Sequence, residues 1–143
     1  MVERFTKPAR RTVFFSRYEA AQFGSVDIEP HHVLLALLRE AKPVLRLWSL
    51  DRPEAVRSIR SEIERAFPPR VRWERDWQLP LSDAGKRIFN YAIEEASHMR
   101  ALNVDTGHLL LGLLREENEP GAAAVLKGRG LLLPIVRQKI AGA

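Results

Sequence analysis

The side chains best equipped for chemistry are four histidines, His31, His32, His98 and His108, and two runs of neighbouring acids, Glu94-Glu95 and Glu116-Glu117. General acid–base work needs two groups converging on one proton, whereas neighbours on a helix point roughly 100° apart. The acid pairs therefore read as solvated faces or intrahelical partners. His31 and His32 are adjacent, so their side chains are expected to diverge, and a metal site needs converging ligands with a supporting shell. His32 and His108 stand at matching places ahead of leucine-rich runs, where the expected role is a hydrogen bond near a helix start. No cysteine is present, which excludes disulfides, thiolate ligands and a cysteine nucleophile. There is no Walker A loop, no G-x-S-x-G, no H-E-x-x-H and no EF-hand loop. Gly85-Lys86-Arg87 lacks the glycine loop that would cradle a phosphate. The residues thus point to a non-enzyme without metal or cofactor.

The elements that hold these residues are written twice. His32-Val33-Leu34-Leu35-Ala36-Leu37-Leu38-Arg39-Glu40 returns as His108-Leu109-Leu110-Leu111-Gly112-Leu113-Leu114-Arg115-Glu116, an offset of 76 residues that holds without a gap back to Thr6 and Ser82. Fixed-spacing similarity means a duplicated unit, and two copies of this length suggest fused half-domains rather than a solenoid. Thr6 and Pro8 start a first helix, with Ala9, Val13, Ser16, Ala20 and Phe23 recurring on one face and Gly24-Ser25 as its stop. Ser82 and the stripe Gly85, Phe89, Ala92, Ala96, Met99 repeat it. Pro30 opens a second helix, and Thr106 is the expected cap of its counterpart. These leucine runs are apolar nearly all round and belong in the middle of a core.

A short third helix is expected from Val44 to about Ser49, and a fourth after Asp51-Arg52-Pro53 with Ile59, Ile63 and Phe67 inward. The second copy gives 121–127, a break at Gly128-Arg129-Gly130, then Leu133, Val136 and Ile140. The expected fold is all-α, one domain of eight helices in two pseudo-twofold repeats, 4–67 and 81–143, joined by a linker at 68–80.

The length of 143 residues suffices for a self-supporting core, and no run reaches the ~20 apolar residues of a membrane span. Without a signal-like opening, a cytoplasmic protein is expected. Net charge is +5, but arginines are scattered with acids between them, which argues against a dedicated nucleic-acid surface. The linker tryptophans Trp73 and Trp77, among Arg70, Arg72 and Arg75, leave two readings: a stacking platform for single-stranded nucleic acid, or an anchor that pins the linker between the halves.

The doubled pattern resembles the Clp repeat found ahead of the ATPase modules of Clp-type unfoldases. Arg4-Phe5-Thr6, Ala9-Arg10-Arg11, Glu19-Ala20, the segment 32–40 and Thr106-Gly107 with 108–116 carry the resemblance. It implies a non-catalytic domain that binds protein clients, adaptor proteins or peptide-like inhibitors for a Clp ATPase and its peptidase. Its ligand surface would lie along the first helices of both copies, at Val2, Arg10, Val13, Phe14, Arg17, Leu81, Lys86, Phe89, Asn90 and Ile93. Val13 and Phe89 sit on the core stripe as well, so burial is an open alternative for them. Members that recognise phosphoarginine carry Thr-Glu-His in each copy. Here the places read Pro30-His31-His32 and Thr106-Gly107-His108, so the acids are replaced by His31 and Gly107. That departure implies no phosphoarginine binding of the usual kind. Met1 begins the family's usual opening, so the start reads as natural, while Ala141-Gly142-Ala143 reads equally as a native end or a cut.

Overall fold

The computed structural model describes residues 4–71, 78–117 and 121–142. In chain order the helices are α1 (Lys7–Gln22), α2 (Pro30–Glu40), α3 (Lys42–Leu45), α4 (Pro53–Ala66), α5 (Asp83–His98), α6 (Thr106–Arg115), α7 (Ala122–Lys127) and α8 (Leu133–Ala141). A 3-10 turn, Arg46–Trp48, follows α3. The molecule is all-helical with eight α-helices among the described residues, as the doubled pattern predicts.

The leucine-rich helices α2 and α6 form the centre. Val33 to Leu38 and Leu109 to Leu114 are buried throughout, α1 packs on α2, and α5 packs on α6. Each leucine or valine side chain among them withdrawn from water is worth about 1.5–3 kcal/mol, before the cost of ordering the chain. The hydroxyls of Thr6 and Ser82 accept from the N–H groups of Ala9 and Gly85, so each long helix has a capped start. Each ends in a left-handed residue, Gly24 (φ 66°) and Arg100 (φ 55°). Behind them Ser25 N–H donates to the Ala20 carbonyl, and Ala101 N–H to that of Ala96.

The halves interlock. Phe5, at the entrance to α1, pairs with Val104 of the second half, and Leu81, at the entrance to α5, pairs with Ile28 of the first. These two parallel bridges are twofold mates at the sequence offset. Each helix pair therefore begins on a hydrogen bond to the other half: Thr6 N–H to Val104 carbonyl at 3.0 Å, and Ser82 N–H to Ile28 carbonyl at 3.0 Å. The ion pairs follow the same symmetry, Arg11 with Glu40 and Arg87 with Glu116, each at 2.6 Å. So do two cation–ring contacts, Arg39 over Phe15 and Arg115 over Tyr91.

Several expectations need correction. The cap of α6 is Asp105, with Thr106 already in the first turn, because the Asp105 carboxylate accepts from the Thr106 N–H at 2.8 Å. Arg52 caps α4 without a side-chain bond, since the Asp51 carboxylate is held by Arg46 instead. The third helix is shorter than expected and finishes as a 3-10 turn. Glu95 and Glu116 are not solvated: both are 2% exposed and pair across helices. Glu95 accepts from Arg115 on α6 and from both ends of the Arg137 guanidinium on α8, at 2.9 to 3.1 Å. Trp73 and Trp77 lie outside the described residues.

Candidate functional site

α1 and α5 present most of the residues singled out along the first helix of each copy. Arg10, Phe14, Lys86 and Asn90 are exposed, whereas Val13, Arg17, Leu81 and Ile93 are half-buried. Phe14 is 61% exposed, a large apolar area for a surface residue. Phe89 is 2% exposed and stacks on Phe5 with ring centroids 6.2 Å apart, so it backs the face rather than presenting surface. That stack also places the entrance of α1 against the middle of α5. Val13 is packed against the core by one side. Val2 lies outside the described residues. Among the described residues, Arg10 and Arg17 have no acidic partner, and the buried Nε of Arg17 has no hydrogen-bond partner.

The second pair of places, His31 and Gly107, is asymmetric. His31 and His32 do not diverge: their rings lie 4.1 Å apart, because His31 is drawn into a stack on Phe67 at 3.9 Å and 3°. Phe23 meets both imidazoles edge-on. The Nδ1 of His32 accepts from the Glu29 N–H at 2.9 Å, as His108 Nδ1 does from Asp105 N–H, which is the cap-like role expected of both. An acceptor Nδ1 leaves the proton of a neutral ring on Nε2. Burial pushes the His31 pKa down to about 4. Burial, then the neighbouring His31, pushes that of His32 to about 3. Both rings are therefore uncharged at neutral pH. They border a cleft of about 510 Å³ between the α1–α2 loop and the segment after α4. Gly107 lines a smaller cleft of about 340 Å³ together with Ile140 of α8, which a Cβ at Gly107 would meet at 3.2 Å. Burial lowers the pKa of His108 as well, against the opposing pull of Asp105 and Glu95.

Among the described residues no group of three or more His, Asp or Glu could hold a metal ion. No described helix is long and apolar enough to cross a membrane. Two features were not legible beforehand. One is the contact of Phe15 with both Phe14 and Tyr18, whose signal was the aromatic run itself. The other is the buried pairing of Glu19 with Arg60 at 2.9 Å, for which the recurrence of Glu19 at Glu95 was the available sign.

A family model described as the Clp repeat (R) N-terminal domain matches residues 4–128. The chain belongs to this family. Curated relatives of this Clp repeat domain include the chaperone protein ClpD2 of Oryza sativa subsp. japonica, 34% identical over 131 residues. The chaperone protein ClpB of Oceanobacillus iheyensis is 30% identical over 140 residues, and the negative regulator of genetic competence ClpC/MecB of Bacillus subtilis 29% over 144. These alignments cover 90–98% of this chain but only 14–17% of the relatives' lengths. Among solved structures, the N-terminal domain of ClpD from Arabidopsis thaliana superposes with a TM-score of 0.72 at 23% identity, covering 96% of this chain and 92% of that one. The Hsp104 N-terminal domain from Candida albicans gives 0.65 at 18% identity, with 94% and 87% coverage. At these identities the superpositions establish the fold alone.

Proposed function

We propose that this Clp repeat domain is a non-catalytic protein-binding module that recognises clients or adaptor proteins for a Clp ATPase through the face shared by α1 and α5. The composition of that face supports the reading best. Phe14, Val13, Leu81 and Ile93 offer apolar contact beside Arg10, Arg17, Lys86 and Asn90, with Phe89 behind them. Apolar anchors in such a mixture supply most of the contact energy, while arginines select carboxylates or phosphates by charge-assisted hydrogen bonds. Val2 belongs to the proposed set by motif position alone and lies outside the described residues. The test is capture of a Clp ATPase or an unfolded client by the immobilised protein. The double substitution Phe14→Ala, Arg17→Ala should reduce capture by about tenfold or more. Failure of the unaltered protein to retain any Clp component or unfolded client would contradict the reading.

The same reading excludes phosphoarginine as a ligand of the usual kind. The guanidinium of such a ligand needs a carboxylate at these places, and His31 is neutral while Gly107 has no side chain to supply one. Calorimetry with free phosphoarginine should show no binding at micromolar concentration. Binding that disappears on His31→Ala would overturn this.

A further inference from the structure

α1 carries a feature that α5 lacks. Phe14 and Phe15 meet edge to face at 5.2 Å, and Phe15 meets Tyr18 in the same manner at 6.5 Å. The Arg39 guanidinium lies 3.9 Å above the Phe15 ring and holds it from the α2 side. Phe14 and Tyr18 remain 61% and 37% exposed, one helical turn apart on the same side of α1. At the matching places α5 has Asn90, Tyr91 and Glu94, and Glu94 is tied to Arg115 at 2.9 Å. The aromatic ladder thus belongs to one half only.

Its electrostatic setting is one-sided. Lys7, Arg10, Arg11 and Arg17 line α1. The one acid of that helix, Glu19, is buried and held by Arg60 through two hydrogen bonds at 2.9 and 3.1 Å. Arg11 is neutralised by Glu40, which leaves Lys7, Arg10 and Arg17 without an acidic partner among the described residues.

We infer that the Phe14–Phe15–Tyr18 ladder with Arg10 and Arg17 is a docking strip for an acidic peptide segment that carries aromatic or leucine anchors. This rests on the protein-binding reading and names the partner's chemistry. Charge complementarity selects acidic segments, and the two exposed rings, spaced one turn apart, take the apolar anchors. Single-stranded nucleic acid fits less well. The rings pack edge to face on each other, and one face of Phe15 is covered by Arg39, whereas base stacking needs open ring faces. Because α5 has no equivalent ladder, one peptide should bind per chain.

The test is fluorescence anisotropy with a fluorescein-labelled, glutamate-rich peptide bearing one phenylalanine and one leucine four residues apart. The comparison probes are its glutamine counterpart, a labelled oligothymidine and unfolded casein. The acidic peptide should bind with single-site saturation and weaken as salt rises. Phe14→Ala and Tyr18→Ala should each weaken it about tenfold, Tyr18→Phe should retain it, and Arg57→Ala on α4 should leave it unchanged. Equal binding of the glutamine peptide, tighter binding of oligothymidine, or indifference to both truncations would overturn the strip. Casein binding without acidic-peptide binding would reject the strip alone, whereas loss of both would reject the protein-binding reading as well. Circular dichroism of the variants keeps a folding defect from passing as lost binding.

Discussion

At the residue scale, the histidines that first invite a chemical reading are structural, and their cost shows in acid. The folded pKa values of His31 and His32 lie at about 4 and about 3, below the ordinary 6.5, so the unfolded chain takes up protons first as pH falls. Stability is therefore full above about pH 6.5 and declines as pH drops toward 4 and then 3, by an amount on the order of a few kcal/mol. Burial pulls the Glu95 pKa up, but Arg137 and Arg115 outweigh it and leave it lowered, so its contribution is lost in the same direction, starting below about pH 4.5. Replacing His31 with Phe keeps a ring on Phe67 and removes one titration. Urea unfolding across pH should then show a shallower slope between 6.5 and 4, and an unchanged slope would contradict the assignment. Arg100 gives a second expectation. Its left-handed conformation costs about 1–2 kcal/mol for a side-chain-bearing residue. Arg100→Gly should stabilise the protein by up to about 1 kcal/mol after the added freedom of the unfolded chain, read as a rise in Tm. The cap-like role of His32 and His108 was legible because it occurs twice. The approach of His31 to His32 was not, since divergence along one helix says nothing about Phe67, a ring at α4's end that draws His31 sideways into a stack.

At the scale of elements, close helix approach and buried ion pairs set the tolerances. A Cβ on Gly112 of α6 would lie 2.4 Å from the Ile88 carbonyl of α5, a backbone atom that cannot swing away. Gly112→Ala should therefore push these helices apart and cost about 1–3 kcal/mol in chemical denaturation, despite alanine's better helix propensity. Glu95→Ala should cost about 1–3 kcal/mol, because it removes the acceptor shared by Arg115 and Arg137, while Glu94 still holds Arg115 and water reaches the half-exposed Arg137. Helix positions followed from periodicity, caps and prolines, as at Thr6, Pro30 and Pro53. The ion pairs did not, because pairing Glu95 with Arg137 depends on where α8 returns over α5. That path is fixed by packing of Val136 and Ile140, not by any local signal.

At the scale of the whole molecule, duplication predicted two similar helical halves, and the structure adds that they exchange their first contacts. Phe5 and Thr6 lean on Val104, and Leu81 and Ser82 on Ile28, so neither half starts its long helix on its own material. Residues 4–71 or 78–143 expressed alone should show weak helicity and no cooperative melting by circular dichroism. The face proposed on α1 and α5 comes from the resemblance alone, whereas the aromatic ladder emerged only once α2 was seen to bring Arg39 over Phe15. The most direct test of the account is an amide NMR titration of the labelled protein with unfolded casein. Shifts should cluster on α1 and α5, strongest around Phe14, Arg17, Lys86 and Asn90. Perturbations confined to α4 and α8, or none at saturating client, would contradict it.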